Sequence, residues 1–134
     1  MSLIAKQITK SFGNPPIEII HPLNLEIKKG EFVAITGRSG SGKSTLLYLL
    51  SGLDPLTSGE LFYSGIPYLK MNEEEKLKFR NLKMGFVFQF HYLLPEFTAL
   101  ENALLPVTDS EKSKQKEAEA VEILKMFELD NCIK

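Results

Sequence analysis

The chain has 134 residues, of which 43% are hydrophobic and 25% charged, the size and make-up of about one soluble globular domain or part of a larger one. Sixteen Lys and Arg against seventeen Asp and Glu leave a net charge of −1, so no whole-chain field recruits nucleic acid or an anionic membrane. The longest unbroken aliphatic or aromatic run, Leu46 to Leu50, is far below the roughly 18 residues of a spanning helix, and Lys6 interrupts the N-terminus before the apolar stretch of a signal peptide can develop. A cytoplasmic chain is expected, with the single cysteine, Cys132, a semi-buried thiol that can form neither an internal disulfide nor a cysteine-rich zinc site.

Leu23, Leu25 and Ile27 alternate with Asn24, Glu26 and Lys28, a period of two that predicts a strand with one buried face, ended by Lys29-Gly30. Phe32-Val33-Ala34-Ile35-Thr36 is nearly continuous in apolar side chains, as a strand covered on both faces would be, and it runs into the glycine-rich Gly37 to Gly42. Good helix formers with an apolar face predict a helix over Lys43 to Leu50, stopped by Ser51-Gly52. Asp54 to Gly59 carries turn chemistry, Glu60 to Tyr63 reads as a short strand and Ser64-Gly65 as another turn. Glu73 to Leu82 is predicted helical. Met84 to Gln89 is expected to be a second buried strand ending on a polar side chain, the position at which open α/β sheets place ligand groups. Lys114 to Leu129 sets Ala120, Val121, Leu124, Met126 and Phe127 among Glu and Lys, an amphipathic helix that packs one side on something. The charged stretches Asn72 to Lys78 and Asp109 to Glu119 are expected to be solvated helix surface or loop.

Gly37-Arg38-Ser39-Gly40-Ser41-Gly42-Lys43-Ser44 fits the phosphate-loop pattern of Gly, four residues, Gly, Lys and Ser or Thr. Its glycines let the backbone take positive φ and approach a polyphosphate, so that successive N–H groups form a concave anion site, and the following helix adds the partial positive charge of its N-terminus. Lys43 can reach the β- and γ-phosphates as a point charge, and the Ser44 hydroxyl can ligate a magnesium ion shared with them. Thr45 can donate on the α-phosphate side. The apolar run before the loop and the predicted helix after it are the setting the motif requires.

Flanking residues narrow the family. Gly30-Glu31, Gly37 to Thr45, Leu53-Asp54, Thr57-Ser58-Gly59-Glu60 and Gly85-Phe86-Val87-Phe88-Gln89 follow in the order and spacing of the nucleotide-binding subunit of ABC transporters, which the chain resembles over residues 3 to 130. Within that family, Gln89 to Asn102 is similar to the ATPases of lipoprotein-releasing systems, the LolD-like branch related to MacB- and FtsE-type proteins. The resemblance implies an α/β P-loop NTPase fold, the N-terminal part of an ABC ATPase, with antiparallel β elements, parallel core strands and the start of a helical subdomain. Residues 1–134 would be one incomplete ATP-binding domain, with 1–89 the nucleotide-binding core and 90–134 the start of the helical subdomain. It further implies ATP and Mg2+ as cofactors. Phe12 would stack on adenine in place of the family's usual Tyr, Ile19 would pack beside the base, and the Gln89 amide would ligate magnesium or orient water. His91 has no second ligand-type residue near it and is expected to be surface only. The implied partners are a transmembrane permease subunit, contacted through the region after Gln89, and a second ATPase subunit in a head-to-tail dimer, with no nucleic acid. The chain would then sit in the cytoplasm, peripheral on the inner face of the membrane.

The chain departs from the family in what it contains. The Leu-Ser-Gly-Gly-Gln signature, the apolar strand ending in Asp-Glu and the later switch histidine do not occur in it; Leu46 to Asp54 ends in an acid but belongs to the helix and exit turn of the phosphate loop. No catalytic residue is assignable, so near-inactivity as an ATPase is expected of the 134-residue chain, as are an exposed apolar sheet edge, marginal stability or self-association. An alternative is a hydrolysis-incompetent nucleotide-binding module that occupies the transporter partner. A P-loop kinase acting on a small molecule would leave Leu53 to Glu60 and Gln89 unexplained.

Overall fold

In the computed structural model, which describes residues 1–107 and 113–132, the N-terminal half is built on a four-stranded antiparallel sheet. β1 (Leu3–Phe12) and β2 (Ile17–Ile27) form an antiparallel hairpin, β3 (Ser58–Tyr63) lies on the other side of β1, and β4 (Ile66–Pro67) pairs with β3, giving the order β2-β1-β3-β4. The expected strand ending at Ile27 is therefore the second half of a longer one. Between β2 and β3 comes α1 (Lys43–Leu50), capped by Ser51 and followed by Gly52 at positive φ, as the Ser51-Gly52 stop predicts. A short 3-10 turn (Tyr68–Lys70) leads to α2 (Glu73–Lys83), which opens on a reciprocal capping box: Asn72 Oδ1 accepts from Glu75 N–H at 2.9 Å and the Glu75 carboxylate accepts from Asn72 N–H at 2.8 Å. The acids of this helix and Lys78 are solvated surface, whereas Lys76 is largely covered and lies over the Tyr68 ring; Glu73 pairs with Lys76 and Glu74 with Lys78, and the two lysines hold those carboxyls below their ordinary range.

The core joins this sheet to α1 and α2. Ala5, Ile8, Leu61 and Tyr63 from the strands meet Leu50 and Tyr68, with Leu46, Phe79 and Met84 packed at the margin. Tyr63 is fully buried, donates its hydroxyl to Leu50 O at 2.7 Å, and meets Tyr68 edge-on at 5.3 Å; burial, reinforced by the neighbouring Tyr68, pushes its phenol far above the ordinary tyrosine value.

β1 carries a bulge at Gln7, whose φ of 47° is accommodated with its N–H donated to Asn24 Oδ1 at 2.9 Å. Across from it, Gly59 has φ of 98°, and a Cβ there would lie 2.4 Å from Gln7 O and 2.6 Å from Ile8 Cα. Backbone cannot yield as a flexible side chain does. Gly59→Ala is thus expected to destabilise the chain by at least about 2 kcal/mol, read as a lowered denaturation midpoint with unchanged slope.

Two expected strands form no ladder. Phe32 to Thr36 and Met84 to Gln89 pair with no strand among the described residues, with Phe32 96% exposed and Val87 fully exposed. Their sequences have the unbroken apolar character of strands covered on both faces. Parallel strands need a neighbour brought by a long crossover, however, and neither segment meets one among the described residues. Ile35 and Met84 reach the core margin. The architecture is mixed α/β with its ladder entirely antiparallel.

The chain divides into two compact units, Met1–Gly85 and Phe86–Lys134. The second holds α3 (Ala99–Leu104), α4 (Ser113–Met126) and a 3-10 turn (Asp130–Cys132). α4 occupies most of the predicted Lys114 to Leu129 helix. Residues 109–112 of the expected charged stretch, and the Cys132 side chain, lie outside what is described. None of the helices among the described residues is long and apolar enough to cross a membrane.

Candidate nucleotide site

The loop from Gly37 to Gly42 leads directly into α1. Gly42 is the N-cap, in the left-handed region at φ 87°, ψ 10°; it offers no side-chain cap, and no acidic residue occupies the first helical turn. The positive end of the helix dipole thus meets no acidic side chain of its own first turn. Arg38 and Ser41 close a turn, with Ser41 N–H donating to Arg38 O at 3.3 Å. Lys43 donates its ammonium to Gly37 O at 3.0 Å and Arg38 O at 2.7 Å, which sets a full positive charge against the backbone of the loop. Arg38, Ser39, Gly40, Ser41 and Ser44 are exposed, while Gly42, Lys43 and Thr45 are half-buried.

The β1–β2 hairpin delivers Ile19 to this loop. Lys10 pairs with Ile20 and Ser11 with Glu18, so Ile19 is the extra residue of a bulge, a device that redirects a side chain. A Cβ on Gly42 would meet Ile20 Cδ1 at 3.0 Å and Ile19 Cγ2 at 3.2 Å, so glycine is required there by both φ and space. Phe12 pairs with Ile17 at the end of the same hairpin and is 46% exposed.

Phe12, Ile19 and Gly37 to Thr45 therefore all belong to the Met1–Gly85 unit. Gln89 belongs to the other, at an exposed bend, and His91 beside it is exposed as expected. In that second unit Phe90, Tyr92 and Leu93 are well exposed. The segment after them is tied by Asn102, whose Oδ1 accepts from Leu94 N–H at 2.9 Å and whose Nδ2 donates to the carbonyls of Leu94, Phe97 and Thr98, each at 3.0 Å. α3 opens on a Thr98/Glu101 capping box, and the Thr98 N–H and hydroxyl hold the Glu101 carboxyl below its ordinary range.

One residue beside the site is not visible in the sequence. Lys10 is 6% exposed, donates to Asp54 Oδ1 at 3.0 Å and Pro55 O at 2.7 Å, and lies over the Phe12 ring at 4.7 Å. A lysine in a strand reads as a solvated charge unless the turn that receives it is known.

The family model for the ABC transporter matches residues 20–134. The lipoprotein-releasing system ATP-binding protein LolD of Leptospira interrogans serogroup Icterohaemorrhagiae serovar Lai (strain 56601) is 50% identical over 122 residues, 91% of this chain and 51% of that protein. LolD of Buchnera aphidicola subsp. Schizaphis graminum (strain Sg) is 48% identical over 129 residues, 94% of this chain and 56% of that protein. The chain thus spans about half the length of the curated relatives it matches. Among solved structures, the ATP-binding cassette MJ0796 in a dimeric post-hydrolysis state bound to ADP and Pi aligns with a TM-score of 0.82 and 40% identity, covering 94% of this chain and 57% of that one; a second dimeric structure of MJ0796, a bacterial ABC transporter cassette, aligns with the same values. With a phosphate loop set at a helix N-terminus and a family match that takes in most of its residues, the chain belongs to the ATP-binding family of ABC transporters.

Proposed function

We propose that the chain is the ATP-binding part of an ABC ATPase that energises lipoprotein release through a membrane permease. The observation that carries the ATP-binding part is the loop itself, a glycine-capped helix with no acid in its first turn and Lys43 held over the loop carbonyls, and the cargo follows the identity to lipoprotein-releasing LolD proteins. Those groups suit the negative charge of a phosphate chain. In this reading the N–H groups of Gly37, Arg38, Ser39, Gly40, Ser41 and Gly42 cradle the phosphates, Lys43 binds the β- and γ-phosphates, and Thr45 donates on the α-phosphate side. Phe12 stacks on adenine and Ile19 packs beside it.

Magnesium fits the donor set in one way. In this reading the ion is held by the hard oxygen of Ser44 together with the phosphates, and the Gln89 amide is taken as a further ligand; no group of three His, Cys, Asp or Glu that could hold a metal occurs among the described residues. When bound it would neutralise phosphate charge. The segment 1–89 then acts as the nucleotide-binding core and 90–134 as the start of the helical subdomain that meets the permease, on the inner face of the membrane. A second ATPase subunit would complete the site head to tail, and the general base would come from outside these residues. If so, the 134-residue chain alone is a binder and not a turnover enzyme.

The test of the cargo uses the complete protein with the lipoprotein-releasing permease of the same cell, reconstituted in vesicles that carry a radiolabelled lipoprotein. ATP-dependent release of the lipoprotein is expected. ATP turnover without release would remove lipoprotein as the cargo while leaving the ATPase reading in place.

A further inference from the structure

We propose that Lys10 is a positioning residue that holds the Phe12 ring in place for base stacking by tying it to the exit turn of the phosphate-loop helix. The inference rests on the reading of Phe12 as the base platform. Lys10 has a long stem near the end of a strand, where such side chains usually extend to water. Here it is 6% exposed instead. Burying an ammonium is costly unless partners replace its water, and two do: Asp54 Oδ1 at 3.0 Å and Pro55 O at 2.7 Å. The charge is therefore fixed in space by the Asp54-Pro55 turn.

That turn is in its turn fixed by α1. Leu53 N–H and Asp54 N–H both donate to Tyr48 O, at 3.0 and 3.2 Å, so the acid that receives Lys10 is an extension of the helix whose other end carries the phosphate loop. The same ammonium lies over the Phe12 ring, 4.7 Å from its centroid, within the range of a cation–π contact. The ammonium lies over one face of the ring, and in this proposal the base stacks on the other. Phe12 has no hydroxyl to anchor it and is 46% exposed, so a ring without this tether would lose rotamer freedom on stacking and weaken the contact by that amount. The path from Tyr48 through Asp54 and Lys10 to Phe12 thus sets the base platform at a fixed reach from the phosphate loop.

The test compares two probes on the 134-residue chain, Mg-ATP and Mg-tripolyphosphate, which lacks a base. Lys10→Met keeps the stem and removes the charge; the affinity for ATP is expected to fall about three- to tenfold, with tripolyphosphate affinity unchanged. In a Phe12→Ala background the same substitution should add nothing further to the ATP loss. A parallel fall for both probes, or no fall for ATP, would overturn the role of Lys10. Phe12→Ala leaving the ratio of the two affinities unchanged would instead overturn the base-platform reading beneath it. Should Lys10→Met not fold, which loss of binding to both probes together with loss of far-ultraviolet dichroism would reveal, Asp54→Asn weakens the anchor while keeping both side chains in place. Its ratio of affinities is expected to shift in the same direction, and an unchanged ratio there would overturn the proposal.

Discussion

Lys43→Ala is expected to weaken Mg-ATP binding roughly 30- to 1000-fold, since truncating one partner of a charge-assisted contact costs about 2–4 kcal/mol. The loss has two sources. One is the point charge on the phosphates; the other is the loop itself, because the same ammonium ties Gly37 O and Arg38 O and so holds the carbonyl side of the loop together. The helix should survive, since Lys43 is its first residue and alanine is favoured there. Calorimetric titration gives the affinity, and circular dichroism of the variant separates a lost contact from a lost fold. An unchanged affinity with the fold intact would remove the phosphate-loop assignment.

Which parts could be read from sequence follows from how local their causes are. The phosphate loop and α1 depend on glycines and helix formers within a dozen residues, and the start of α2 on Asn72 and Glu75 three positions apart. β1 escaped because the Gln7 bulge and the lysines at positions 6 and 10 break the apolar period. The first half of β2 was hidden by the bulge at Ile19 and by Pro22. For Phe32 to Thr36 the apolar character was legible but the ladder was not, because a ladder needs a partner and the pattern names none. Of the candidate site, the loop's pattern and the start of α1 behind it were legible. The tie between Lys10 and Asp54 spans 44 positions, and no periodicity within one strand reports it.

The second large effect concerns turnover. Mg-ATP is expected to bind the 134-residue chain and a version extended to the full length of the relatives alike, but the extended protein should hydrolyse it at least about 1000-fold faster. A base that activates water contributes about 10²–10⁴-fold by itself, and no acid in the loop region offers one: the first turn of α1 carries none, and Asp54 is engaged by Lys10. The same extension should act on stability. Phe32, Val33 and Val87 are exposed, and each large apolar side chain brought under cover adds roughly 1.5–3 kcal/mol, so the extended protein should resist denaturant to higher concentration and lose any tendency of the short chain to self-associate, read by sedimentation. The two readouts separate the causes. Faster turnover without added stability would mean that the extension supplies chemistry but leaves the extended segments uncovered, whereas turnover by the short chain would place the base among residues 1–134 and overturn the account of a half-site.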